Sequence, residues 1–339
     1  MPVGHAPAAD APTGSLPYTR EYLDLPVPPN ARGESYRLAL HVYPDPGGDA
    51  PVVIIFPAMG TPARFYRPFA QRLGADGIAV VVVDLRGTGE SRPTASRADR
   101  YGYLDLAGDV GTVLEALKPR LDGRRYYLLG HSLGGQVSTV HLARTAAAGG
   151  SARTAAAGGS ARTAAAGGSA RTAAAGGSAH TAASSGSAPG DGGPAGLILV
   201  AVGLPYYRSY PRGRRLGVLA FSQSIVGISA LCGVWPGWAF GGKQSRQVIL
   251  DWGYTARHGR FPDHVATRAD LALVRTPVLA ISVGRDFYTP HEVLDLLCAQ
   301  LPAAPLTRVR LDDPLDHFSW VRQPDAVAEH VSSYVRGTP

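Results

Sequence analysis

The sequence predicts an α/β protein in which helices cover both faces of a mostly parallel sheet, and three observations predict it. Apolar runs that only burial can accommodate, at Val52 to Phe56, Ile78 to Asp84, Tyr126 to Leu129, Leu197 to Val202 and Pro277 to Val283, alternate with segments of helical periodicity. One of these runs passes through Gly130-His131-Ser132-Leu133-Gly134-Gly135 directly into a helical segment, Gln136 to Arg144. Finally, 339 residues at 45% hydrophobic and 17% charged make an ordinary globular composition, long enough for a large core.

Residues 1–17 are rich in Ala, Pro and Gly and lack the basic-then-apolar order of a secretory signal, so they read as a disordered tail on a cytoplasmic protein. Tyr18 to Leu25 and Ser35 to Tyr43 alternate apolar and polar residues across Pro28-Pro29-Asn30, the pattern of a half-exposed antiparallel pair. The buried strand Val52 to Phe56 leads to a loop and a helix from Phe65 to Ala75. The strand Ile78 to Asp84 then precedes a helix over Tyr103 to Leu117. From Arg144 the unit Arg-Thr-Ala-Ala-Ala-Gly-Gly-Ser-Ala occurs four times, with a degraded fifth copy at His180. A nine-residue period without large apolar side chains cannot build a solenoid core. Each Gly pair costs a helix about 2 kcal/mol relative to Ala. The repeat, 144–194, therefore reads as a mobile insertion.

Core strand pattern resumes at Leu197, giving a first core segment over 18–202. Residues 203–270 break the rhythm and read as a cap, and 271–339 complete the core with the strands Pro277 to Val283 and Thr307 to Leu311 and the helices His291 to Gln300 and Pro324 to Tyr334. Within the cap, Leu216 to Gly242 holds 27 uncharged residues, long enough to span a bilayer. Gln223, the small residues around it and Pro236 argue instead for lid helices, with Leu216 to Phe240 lining an acyl pocket.

The net charge of +7 is concentrated in the cap, where nine Arg or Lys face three Asp. No nucleic-acid-binding motif accompanies that charge, so a basic rim toward an anionic substrate or a membrane surface explains it better. Cys232 and Cys298 stand alone and far apart, which supports neither a disulfide framework nor a metal site, and no cofactor motif occurs.

The chemistry converges on the Gly-x-Ser-x-Gly turn. A serine at the tip of a tight strand-to-helix turn needs neighbours without side chains, Gly130 and Gly134, and presents its hydroxyl at the positive end of a helix. Its activation needs a base, and the base needs an orienting acid, both on loops after later strands. Asp286 follows the strand Val278 to Val283, and His317 follows the last strand. Asp286 has the alternative role of capping the next helix. Asp312, Asp313 and Asp316 are rival acids, and His131 lies too close to the serine to be its base. Backbone amides of Leu133 and Met59, the latter in Pro57-Ala58-Met59-Gly60, are placed to form an oxyanion hole. The turn Asp84-Leu85-Arg86-Gly87-Thr88-Gly89-Glu90-Ser91 reads as structural.

Together with Arg64-Phe65-Tyr66-Arg67-Pro68-Phe69-Ala70 and His317-Phe318, these segments resemble the α/β-hydrolase superfamily, in the bacterial serine aminopeptidase and lysophospholipase-like branch. The resemblance covers about residues 18–143 and 195–335. It implies an eight-stranded sheet, a triad of Ser132, Asp286 and His317, and a helical cap after the sixth strand. Two departures stand out: Pro57-Ala58 replaces the His-Gly of many relatives, and Asp316 replaces a small residue before the histidine. The function implied is a serine hydrolase acting on a small-molecule ester or related acyl bond with an apolar chain. Acyl transfer on the same triad and a catalytically silent binding protein are the alternatives.

Overall fold

The structure, a computed structural model, describes residues 17–164, 193–238 and 240–337. The sequence's first two alternating segments form β1 (Thr19–Asp24) and β2 (Arg37–Val42), paired antiparallel. Then follow β3 (Val52–Phe56), a 3-10 turn at Ala63–Tyr66, α1 (Arg67–Ala75), β4 (Ala79–Val83), α2 (Tyr103–Leu121), β5 (Tyr126–His131), α3 (Leu133–Ala164) and β6 (Gly196–Val200). The cap contributes α4 (Arg215–Cys232), the short strands β7 (Val234–Trp235) and β8 (Gln244–Ser245), and α5 (Arg246–His258). The chain closes through α6 (Arg268–Leu271), β9 (Val278–Ser282), α7 (His291–Cys298), β10 (Leu306–Arg310), α8 (Ser319–Arg322) and α9 (Asp325–Gly337).

Eight strands form one sheet in the order β1-β2-β4-β3-β5-β6-β9-β10, parallel from β4 onward. Period-two alternation divides its buried side chains between two cores. Val52, Ile54 and Phe56 of β3 join Leu106 and Val110 of α2 and Val137 and Val140 of α3 on one face. Val53 and Ile55 join Phe69 and Leu73 of α1 and Val327, Val331 and Val335 of α9 on the other. The central strands β3, β4, β5 and β6 are buried along their whole length, which is why they read as continuous apolar runs.

Two expectations are corrected. Helix α3 does not give way to a loop at Arg144; it runs on through Gly149-Gly150 and Gly158-Gly159 to Ala164. Growth from a helix already packed on the sheet escapes the nucleation cost that an isolated repeat faces, and three Ala per unit carry it past each Gly pair. The later copies of the repeat, like the tail ahead of Pro17, lie outside the described residues. The second correction concerns Leu216 to Phe240, which does not line an enclosed pocket: Leu216 is 77%, Leu231 89% and Trp238 74% exposed.

Candidate active site

The turn between β5 and α3 is closed by steric necessity. A Cβ on Gly130 would lie 2.1 Å from the Cα of Gly135, and one on Gly134 would lie 1.9 Å from the Phe56 carbonyl oxygen, so neither position accepts any other residue without moving backbone. Between them Ser132 adopts φ 51°, a left-handed conformation that a residue with a side chain holds only where its surroundings impose it. The Gly134 amide donates to the Pro57 carbonyl at 3.0 Å, fastening the turn to the loop after β3.

That loop and the first turn of α3 carry the two expected oxyanion donors. Among the described residues, the amides of Met59 and Leu133 donate to no protein acceptor, while those of Ala58 and Gly134 on either side do. Ala58 donates to the Tyr66 hydroxyl at 2.9 Å, and the same hydroxyl lies 2.7 Å from His131 Nδ1. The Tyr66 hydroxyl and His131 Nδ1 share one hydrogen bond, whose donor is set by the imidazole tautomer. Burial, and after it the charge of His317, holds the His131 pKa far below the ordinary histidine value, so the ring stays neutral.

Asp286 and His317 meet beside this turn. His317 Nδ1 donates to Asp286 Oδ2 at 2.7 Å, both side chains being buried. The alternative reading of Asp286 as a cap of the next helix is not met, since α7 begins at His291 with no side-chain cap; its two oxygens instead divide between its own loop and the histidine. Oδ1 accepts the amides of Tyr288 and Thr289, each at 2.8 Å, and Oδ2 takes His317 and the Thr289 hydroxyl. Burial raises the Asp286 pKa, but the His317 charge and these hydrogen bonds outweigh it, and the carboxyl lies below its ordinary value. Asp316 is excluded as the acid: its carboxylate caps α8 by accepting from Phe318 and Ser319, at 2.9 and 2.7 Å.

The His131 ring centroid is 4.7 Å from that of His317, which brings the turn carrying Ser132 beside the Asp286–His317 pair, although Ser132 Oγ makes no hydrogen bond to the His317 ring in this structure. Such bonds commonly tighten only when substrate is bound. Other histidines serve elsewhere: His41 stacks on Tyr18, His264 pairs with Asp251, and His291 bonds Ser282. Asp84 accepts the amides of Ala63 and Glu90, which makes its turn a structural clamp, as the sequence suggested.

Some participants escaped the sequence reading. Thr289 and Tyr66 are identified only by their contacts, though Asp286-x-x-Thr289 carries the spacing of a side chain capping its own loop. The cap also rests directly on the loop after β3. A Cβ on Gly60 would lie 2.1 Å from the Gly241 oxygen, and one on Gly241 would lie 2.6 Å from Met59 Sδ, so two glycines permit a close crossing of backbones that no periodicity announces. Phe240 then stacks against Tyr288 at 5.9 Å between ring centroids, and Tyr288 against His317 at 5.2 Å. Among the described residues no cluster of His, Cys, Asp or Glu is arranged to hold a metal ion.

An eight-stranded, mostly parallel sheet with a Gly-x-Ser-x-Gly turn after a central strand is the architecture to which the comparisons also lead. Residues 49–174 match the family model described as serine aminopeptidase, S33. Over that stretch, 126 of the 339 residues, the chain is similar to this family. Solved structures resemble it along nearly its whole length. One is a bacterial membrane phospholipase A described as a virulence factor, with TM-score 0.52 at 14% identity over 95% of this chain and 87% of that one. Another is a carboxylesterase of Nitrososphaera gargenis, with TM-score 0.52 at 15% identity over 93% and 98%. A third is the enol-lactonase of Burkholderia xenovorans LB400, with TM-score 0.51 at 15% identity over 89% and 97%. At such identities the likeness is one of fold. No curated protein matches the sequence.

Proposed function

We propose that this protein is an α/β-hydrolase, and within that class a serine hydrolase that cleaves an ester or related acyl bond through an acyl-enzyme. The observation that carries the reading is the buried 2.7 Å bond from His317 Nδ1 to Asp286 Oδ2 beside a serine held at φ 51°. With Nδ1 committed to the carboxylate, the His317 Nε2 lone pair is the one free to take a proton. It removes the Ser132 Oγ proton as that oxygen attacks the acyl carbon, and returns it to the leaving alkoxide. Asp286 stays ionised, fixes the tautomer and stabilises the imidazolium. Negative charge on the former carbonyl oxygen meets the free amides of Met59 and Leu133, each worth about 3 kcal/mol of barrier. Water, activated by the same histidine, then attacks the acyl-Ser132 ester and releases the acid.

Support for an acyl substrate with an apolar chain comes from the surroundings of the pair. Tyr288 and Phe318 lie against His317 and Phe240 lies behind Tyr288, so a substrate that enters must replace aromatic surface with its own apolar surface. The test has two stages. Purified protein should react with a fluorophosphonate probe at Ser132 and nowhere in the Ser132→Ala variant. A series of esters from acetyl to dodecanoyl should then show kcat/KM rising over several carbons, since burial of each methylene is worth about 0.8 kcal/mol. Unchanged labelling of the Ser132→Ala variant would remove the reading, and a flat series would remove the apolar acyl chain from it.

A further inference from the structure

Helix α4 is built the wrong way round for a helix in water. From Leu216 to Cys232 it has no charged residue, yet its inward face is narrow and partly polar: the buried positions are Ser222, Ile225 and Ser229. Leu216, Ala220, Gly227 and Leu231 lie on the opposite face, at helical spacing, and are exposed; Phe221 at its flank is 43% exposed. The segment Arg212–Cys232 is long and apolar enough to cross a membrane, and only 17% of it is buried. A monomer in water normally turns such a face inward.

The helix nevertheless lies flat on the protein. Val226 packs where a Cβ on Gly253 would be 2.1 Å from its methyl, and Gln223 Nε2 donates to the Gly253 carbonyl at 3.1 Å. At its start Arg215 Nε donates to the Tyr210 carbonyl at 3.0 Å, and at its end Gly233, in the left-handed conformation, turns the chain into β7, which pairs with β8. Crossing a bilayer would break all of these. Resting in its surface breaks none.

Charge selects the surface. Arg208, Arg212 and Arg214 are exposed at or just before the start of α4, and between residues 203 and 250 there are six Arg or Lys and no Asp or Glu. A second copy seated on this face would bring no carboxylate from its own stretch 203–250 to meet them. Exposed Trp238, in the segment after β7, has the amphipathic ring that favours the headgroup level.

We propose that the exposed face of α4 docks on an anionic phospholipid bilayer, with the helix lying in the interface and Arg208, Arg212 and Arg214 among the headgroups. Docking itself does not depend on the proposed hydrolase activity, but it gives that activity an orientation. From Phe221 the rings of Phe240, Tyr288 and His317 follow one another at 5.9, 5.9 and 5.2 Å, so the aromatic plug over the base lies directly behind the docking face.

The test is flotation of the full chain with vesicles of phosphatidylcholine alone and of phosphatidylcholine with one quarter phosphatidylglycerol, at 50 and 300 mM salt. Binding to the mixed vesicles at low salt, falling severalfold at high salt, is expected. Replacement of Arg212 and Arg214 by Gln should weaken it about fivefold each. The double variant Leu216→Ser, Leu231→Ser should lose binding while keeping its circular dichroism and its fluorophosphonate labelling in vesicle-free buffer, a readout that reports the catalytic reading separately. Equal binding to both vesicle types, or to neither, overturns the proposal. So does a dimer in analytical ultracentrifugation that the double Ser variant converts to a monomer, because the face would then be covered by a second copy.

Discussion

The first turns of α3 and the stretch of α4 from Leu216 to Cys232 are both helical segments without Asp, Glu, Lys or Arg, and they are packed in opposite senses. Among the described side chains of α3 every buried polar one is bonded: Ser138 and Thr139 donate to the carbonyls of Gly134 and Gly135, and Gln136 bridges Tyr103 and Gly203. In α4 the buried Ser229 hydroxyl has no partner among the described residues, and leucines face solvent. The contrast teaches that absence of charge does not locate a helix. What holds α3 is steric exclusion, with backbone so close at Gly130 and Gly134 that no alternative seating exists, whereas α4 is held by one close contact at Gly253 and by its ends.

The sharpest way to test that contrast is to disturb the part held most tightly. Ser132→Ala should lower kcat about a million-fold toward a reactive ester and abolish probe labelling, since the members of a triad act as a unit. Thermal unfolding should barely move, because the hydroxyl supplies no packing. A variant that retains more than a hundredth of the activity would show that another nucleophile is used.

Asp286→Asn should cost about ten-thousand-fold in kcat through the wrong histidine tautomer. Its stability effect carries a sign. The folded carboxyl has a lowered pKa, so its ionised form contributes stability that is complete above the unfolded value of about 4 and is lost as pH falls through the lower folded value. The stability difference between wild type and Asp286→Asn should therefore be constant above about pH 4 and narrow below it, a comparison that denaturant midpoints across pH 2.5 to 7 would read directly.

Gly134→Val probes the steric claim alone. Its side chain has nowhere to go but into the Phe56 carbonyl, and the overpacking should cost at least about 3 kcal/mol. A melting temperature within two degrees of wild type would mean that the elbow backbone shifts readily, and the distinction drawn between α3 and α4 would fail.

These residues also show what could be read in advance. The buried strands and the elbow were legible because their constraints are local: a run of Val and Ile admits only a doubly covered strand, and Gly-x-Ser-x-Gly between strand and helix admits only a tight turn. Asp286 and His317 were legible as loop positions after particular strands, while their contact needed the fold, since 31 residues separate them. Tyr66, Thr289, Phe240 and the crossing of Gly60 by Gly241 carried no periodic signal, because each depends on which surface of the cap meets which loop. For α4 the same ignorance was costlier. A stretch with no charged residue suggested a pocket lining, and only tertiary placement shows its leucines pointing outward.

The smallest expected effect is the one that separates the two helices most cleanly. In vesicle-free buffer, Leu216→Ser and Leu231→Ser should each change unfolding free energy by no more than about 0.5 kcal/mol, because both side chains are already exposed and their loss leaves no cavity. The equivalent truncation on the buried side of α3, Val137→Ser, removes packed methyl groups and leaves a hydroxyl to be bonded, and should cost about 2 to 4 kcal/mol. Urea denaturation of the three variants measures both arms in one experiment. If the two Leu variants were destabilised as much as Val137→Ser, α4 would have to be buried against something in solution, and its outward leucines would belong to a packed core and not to a free face.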